Sequence, residues 1–265
     1  MGSVYGGSKG SDKYFGMVNA YGQTVTHIAE MNGTINLTIT GTEDHYPTIN
    51  GDIYGAGAGV SSSATQEYLR IATAGNTDLG DNYKANINIL VDLPDSHPFG
   101  GSIYGGGQMG AVDGDIKVKI RGGVIQGNVY GAGNGEDGHP DKAKVTGNPE
   151  VLIGQGIAFP VVIQGSVYGG GHAAAVEGST QVTLDGPANK SVTVEGHMFG
   201  GGHGESAVIK TSTSDEAAGN TQVLLKGNVT VGKFQNGHCI SGGNVYGGGY
   251  GGTVEGNTRV IIGED

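Results

Sequence analysis

One short phrase recurs along this chain and constrains its fold more than any other feature. A glycine, a small polar residue, an apolar residue, an aromatic and another glycine follow one another seven times. The copies are "GSVYGG" (2–7), "GDIYGAG" (51–57), "GSIYGGG" (101–107), "GNVYGAG" (127–133), "GSVYGGG" (165–171), "GHMFGGG" (196–202) and "GNVYGGG" (243–249). Their aromatics are Tyr5, Tyr54, Tyr104, Tyr130, Tyr168, Phe199 and Tyr246, at intervals of 49, 50, 26, 38, 31 and 47 residues. A repeat in this range is the signature of a stacked or arrayed architecture.

The shortest interval exposes one uninterrupted unit, "SIYGGGQMGAVDGDIKVKIRGGVIQG" (102–127). It holds three apolar-alternating pieces separated by glycine turns: "SIYG", "DIKVKI" and "GVIQ". In the second, Ile116, Val118 and Ile120 share one face, and Lys117 and Lys119 the other. The same strand returns as "TINLTI" (34–39), "NINIL" (86–90), "TQVTL" (180–184), "TQVLL" (221–225) and "TRVII" (258–262). Period two with β-branched residues predicts strands; "SATQEYLRIATA" (63–74) is the one stretch with a doubtful helical period. The 55 glycines lack collagen's three-residue period and sit at turns and places of close backbone approach. An antiparallel sandwich or propeller would use hairpins, which do not require one corner sequence to recur. The expected fold is therefore all-β, a parallel β-solenoid of about seven or more coils with loop insertions. We expect one repeat domain over 1–265, and loop insertions around 58–85 and 203–218. Val4 already stands inside a repeat and "NTRVIIGED" stops within a strand pattern, so the expectation is a segment of a longer array or a stacking subunit.

Strand parity predicts where the aromatics point. In "VIQGNVYG", Ile125, Gly127 and Val129 share one face, and Gln126, Asn128 and Tyr130 the other. Packing the aliphatics inward places the ring outward, beside Ser3, Asp52, Ser102, Asn128, Ser166, His197 and Asn244 in the successive copies. The competing arrangement is an internal ring ladder, reached if a glycine corner breaks the parity.

Little of the sequence speaks for catalysis. Asp113, Glu177 and Glu255 recur before glycines, as turn acids do. A carboxylate pair for glycoside chemistry would have to come from inserted loops, where Asp78, Asp81, Glu205, Asp215 and Glu216 are the acids to test. His172 and His203 occupy matching positions after the glycines, and stacking would bring them close enough to share a metal, with His197 and Glu205 nearby. Equivalent positions hold Lys9, Ala58, Gln108, Asn134 and Tyr250, the pattern of a tolerant surface column. "GAGNGEDG" lacks the lysine and the following helix of a phosphate cradle. Cys239, the single cysteine, excludes an intrachain disulfide framework, and its neighbour His238 points to the opposite strand face. No cofactor is expected. A net charge of −11 argues against nucleic acid and anionic membranes as partners, and no apolar run approaches membrane-spanning length.

The recurring "G-x-[VI]-[YF]-G-[GA]-G", followed by "G-[NS]-T-x-V-x-[IL]" at 179–184, 220–225 and 257–262, resembles the glycine-rich repeats of large surface or secreted proteins of gut-type anaerobic bacteria. The resemblance implies a right-handed parallel β-helix and an extracellular, adhesin-like or scaffold role. It carries no catalytic residues. Two functional expectations stand side by side. One is a rigid rod whose ladder of seven aromatics contacts a glycan or a surface protein, with end-to-end or side-by-side self-association as a variant. The other is a polysaccharide lyase or glycoside hydrolase on the same scaffold.

Overall fold

The computed structural model describes residues 2–10, 18, 20–22, 29–59, 72–76, 83–157, 159–210 and 219–263. Asp78, Asp81, Asp215, Glu216 and most of "SATQEYLRIATA" lie outside these residues. Among the described residues the chain is all-β, with no helix, and its sheets are mostly parallel in a solenoid-like arrangement.

The seven copies of the phrase form one seven-stranded parallel sheet in sequence order, with two-residue strands. Val4 pairs with Ile53, Ile53 with Ile103, Ile103 with Val129, Val129 with Val167, Val167 with Met198 and Met198 with Val245. Each aromatic pairs with the next aromatic in the same register. The longer strands, Ile35–Thr40, Ile87–Asp92, Ile116–Ile125, Pro149–Ile153, Thr180–Gly186, Thr221–Gly227 and Thr258–Ile262, stack in the same order within a ten-stranded sheet. Equal letters thus become spatial neighbours.

Two details depart from the sequence-based expectation. "DIKVKI" and "GVIQ" are one strand, Ile116–Ile125, which pairs with Pro149–Ile153 through its first half and with Val161–Ile163 through its second. The bend falls at Gly123, whose φ of +103° a side chain would strain, so the strand turns without ending. The second is an antiparallel hairpin, Lys233–Gln235 against His238–Ser241, turning through Asn236 and Gly237. It projects from the stack with Phe234 and Ile240 exposed.

The aliphatic core is filled from three directions. Ile103, Val129, Val167 and Met198 enter from the seven-stranded sheet, and Ile116, Val118 and Ile120 with their counterparts from the long strands. The column Val112, Val145, Val176 and Ile209 closes the third side, joined coil to coil by parallel bridges. Each such buried side chain contributes about 1.5–3 kcal/mol by leaving water.

The glycine after each aromatic has a packing reason. A Cβ on Gly105, Gly131, Gly169 or Gly200 would lie 2.0–2.2 Å from the carbonyl oxygen of the matching glycine in the next coil. Backbone cannot retreat from that contact without breaking the ladder, so only hydrogen fits.

Candidate functional site

The rings leave the aliphatic core, as strand parity requires: Tyr5 to Phe199 form a second cluster of their own, and Tyr246 stacks on its end. Successive centroids are 4.8–4.9 Å apart with interplanar angles of 1–8° from Tyr5 to Tyr246. Parallel strands at this spacing force offset stacking of equivalent rings. Outward does not mean available, however. Tyr54, Tyr104, Tyr130, Tyr168 and Phe199 are buried, because each ring face is covered by the next ring. The expectation that the ladder offers ring faces to a sugar is corrected at these five positions. Tyr246, at the end of the stack, is 45% exposed, and Tyr5 is half-buried.

A second column lies over the rings, four residues after each aromatic. Three of its members reach the ring two coils back. Tyr5 Oη donates to Gln108 Oε1 at 2.6 Å, Asn134 Nδ2 donates to Tyr54 Oη at 3.3 Å, and His203 Nδ1 lies 3.3 Å from Tyr130 Oη. His203 also stacks on Tyr168 at 5.3 Å between centroids. The three hydrogen-bonding contacts each span three coils, so the column laces the ladder together. Burial raises the Tyr104 phenol to about 12, with the nearby Asp52 carboxylate adding to the effect. It also raises Tyr54 and Tyr130 further, and Tyr5 and Tyr168 in the same direction.

This column contains the two histidines singled out for metal. The structure does bring them together, with ring centroids 5.0 Å apart and edge to face. One nitrogen of each is engaged: His172 Nδ1 contacts Asn134 Oδ1 at 2.9 Å, and His203 Nδ1 the Tyr130 hydroxyl. Among the described residues, no three of His, Cys, Asp or Glu converge as a metal site. Burial, then the proximity of His172, lowers the His203 pKa below its ordinary 6.5. His197 sits apart, beside Asn244 and Phe199.

Small polar residues at two corners form ladders of a different kind. Before the rings, the amide of Asp52 donates to Ser3 Oγ, Ser102 to Asp52 Oδ1, Asn128 to Ser102 Oγ, Ser166 to Asn128 Oδ1 and His197 to Ser166 Oγ, at 2.8–3.1 Å. Before the long strands, Asp115 donates to Asn86 Oδ1, Asn148 to Asp115 Oδ1, Ser179 to Asn148 Oδ1, Asn220 to Ser179 Oγ and Asn257 to Asn220 Oδ1, at 2.7–3.3 Å. Each side chain satisfies an amide at the same corner of the following coil, where no regular strand ladder reaches it. Sequence inspection noted the first set only as neighbours of the rings. The signal for its role is the restriction of that position to Ser, Asp, Asn and one His.

Two of the recurring acids have partners of their own. Asp113 Oδ1 accepts from Thr146 Oγ1 at 2.7 Å, and Glu177 pairs with Lys144 at 3.4 Å. Glu205 is exposed, and Cys239, exposed on the hairpin, donates to its neighbour Ser241 O at 3.4 Å.

Along the second corner ladder runs a groove of about 940 Å³. One side is that ladder, from Thr34 through Asn148 to Asn257. The other is the outward column two residues on, which includes Asn88, Lys117, Glu150, Gln181, Gln222 and Arg259. Buried Ile87, Ile116, Pro149, Thr180 and Thr221 form the floor. Lys117 and Glu150 pair at 2.9 Å across adjacent coils. Comparison of the chain with family models, with curated proteins and with solved structures found no match.

Proposed function

We propose that this chain is a non-catalytic structural and interaction module, a right-handed parallel β-helix forming a rigid rod at the exterior of a bacterial cell. The observation that carries this is the engagement of its repeated polar and aromatic side chains with the next coil: the rings with rings, the corner residues with amides, the outer column with hydroxyls. A catalytic surface would leave such groups facing a substrate. Right-handedness follows the strong preference of parallel crossover connections within one sheet. The acidic charge suits a rod exposed to solvent outside the cell. The resemblance of the repeat to bacterial surface proteins supports an adhesin-like or scaffold role. Small-angle scattering tests the shape, and incubation with soluble polysaccharides tests the absence of catalysis. An elongated particle and polymers of unchanged length are expected. A compact particle, or shortened polymer, overturns the proposal.

Self-association is a second proposal, with its own observation. On the C-terminal face Tyr246, Tyr250, Val260 and Ile262 are 40–74% exposed, whereas Phe199, Val223 and Leu225 one coil earlier are buried. The edges at Val245–Tyr246 and Thr258–Ile262 pair on one side only among the described residues. Another coil in the same register, such as that of a second copy, would cover them head to tail, since the corner ladders run in one direction and two like faces cannot exchange those bonds. Sedimentation should rise with protein concentration and lose that dependence in Ile262→Lys. A concentration-independent coefficient removes the proposal.

A further inference from the structure

The geometry points to the groove along the second corner ladder as a binding site for an extended, uncharged polysaccharide lying parallel to the stacking axis. This inference rests on the interaction-module reading and moves its ligand contact from the buried rings to a different face.

Three features of the groove select the ligand. First, it is linear and periodic. The corner column from Thr34 to Asn257 makes six coil-to-coil steps, roughly 29 Å at about 4.8 Å each. A polymer of repeating units meets the same kind of wall at every step, and weak contacts made in series multiply. Second, its chemistry is that of amides and hydroxyls. Gln181 and Gln222 stand on one rim, and on the other the Ser179 hydroxyl, which accepts from the Asn220 amide, keeps a proton to donate. Such groups both donate and accept, as sugar hydroxyls do. Third, the groove is electrically balanced in an acidic molecule. Asp115 and Glu150 are matched by Lys117 and Arg259 among its lining residues, while the chain as a whole carries −11. Polyanions are repelled by the whole and attracted by nothing local.

An extended peptide fits less well. A peptide docks on strands chiefly through unpaired backbone groups at an edge. Here each strand from Ile87–Asp92 to Thr221–Gly227 is paired on both sides, and the corner amides are satisfied by the ladder. What remains for recognition is side-chain amide and hydroxyl chemistry. Catalysis has no footing in the groove either: Asp115 caps the Asn148 amide, and Glu150 is held by Lys117.

The test is affinity gel electrophoresis of the full chain in hydroxyethyl cellulose, in neutral arabinoxylan and in polygalacturonate. Retardation by at least one neutral polymer and none by polygalacturonate is expected. Gln181→Ala with Gln222→Ala should weaken that retardation about tenfold while leaving thermal unfolding unchanged, since both side chains stand on an outer rim. Tyr246→Ala, at the far end of the ring ladder, should leave it intact. No retardation by either neutral polymer, retardation only by the polyanion, or full retardation of the double variant would overturn the inference while leaving the rod itself standing. Shortening of a polymer during the run would instead overturn the non-catalytic proposal beneath it.

Discussion

Two columns lie against each other on the same face of this molecule, and they follow opposite rules. The ring column admits six tyrosines and one phenylalanine, and the column over it holds Lys9, Ala58, Gln108, Asn134, His172, His203 and Tyr250. Rings packed 4.8–4.9 Å apart touch their own kind above and below, so only a flat side chain of the same outline fits. The covering column touches hydroxyls at the ring edges, where an amide or an imidazole serves. Identity along a column measures how far its members pack on themselves. Variety measures how far they pack on something else.

Alkali should break the ring column most completely. Its phenols titrate at raised pH, with Tyr104 near 12 and Tyr54 and Tyr130 higher, mainly through burial. A folded-state pKa above the ordinary 10 means that this stability is fully present below pH 10 and is lost as pH climbs through the folded values. We expect tyrosinate absorbance and loss of strand circular dichroism to rise together above pH 10 in one cooperative step. Tyrosinate appearing near pH 10 without unfolding would show the rings to be solvated.

Truncation comes next. Tyr130→Ala removes a ring held on both faces and should cost about 3–5 kcal/mol in denaturant unfolding. Tyr246→Ala removes a ring stacked on one side and should cost on the order of 1 kcal/mol. Equal costs would mean that stacking is not what stabilises the column. Deleting a hydroxyl alone is milder: Tyr168→Phe should cost about 0.5–1.5 kcal/mol, given that Phe199 occupies the adjacent position without one.

The covering column should respond least. His203→Asn copies the residue that Asn134 already supplies two column positions away, and a change within about 0.5 kcal/mol is expected in thermal unfolding. The same variant has a pH signature. His203 titrates below 6.5 when folded, so its contribution is present above pH 6.5 and is lost as pH falls through the folded value. Wild type should weaken slightly more than His203→Asn between pH 7 and pH 5. Identical acid profiles would place His203 in solvent.

Much of the scaffold was legible in the letters. The strand "DIKVKI" and its counterparts have the predicted faces inward, and the seven aromatics file in one row as their shared phrase demands. Parity also placed Tyr130 opposite Val129. It could not show what covers an outward ring, because that depends on where the chain returns after three glycines. The corner residues were legible as small and polar, but their bonds run between residues 26 to 50 positions apart in the first ladder, beyond any local pattern. The groove was illegible for the same reason: its two rims are adjacent columns of a stack, and no single repeat contains it.

The corner ladders give the stack an arrow. In each bond the acceptor belongs to the earlier turn of chain and the donating amide to the later one. A polypeptide that emerges amino end first therefore meets its docking partners already in position, each completed layer presenting oxygens to the one still being made. Such a chain can assemble like masonry laid on a finished course, with no need to wait for its distant end.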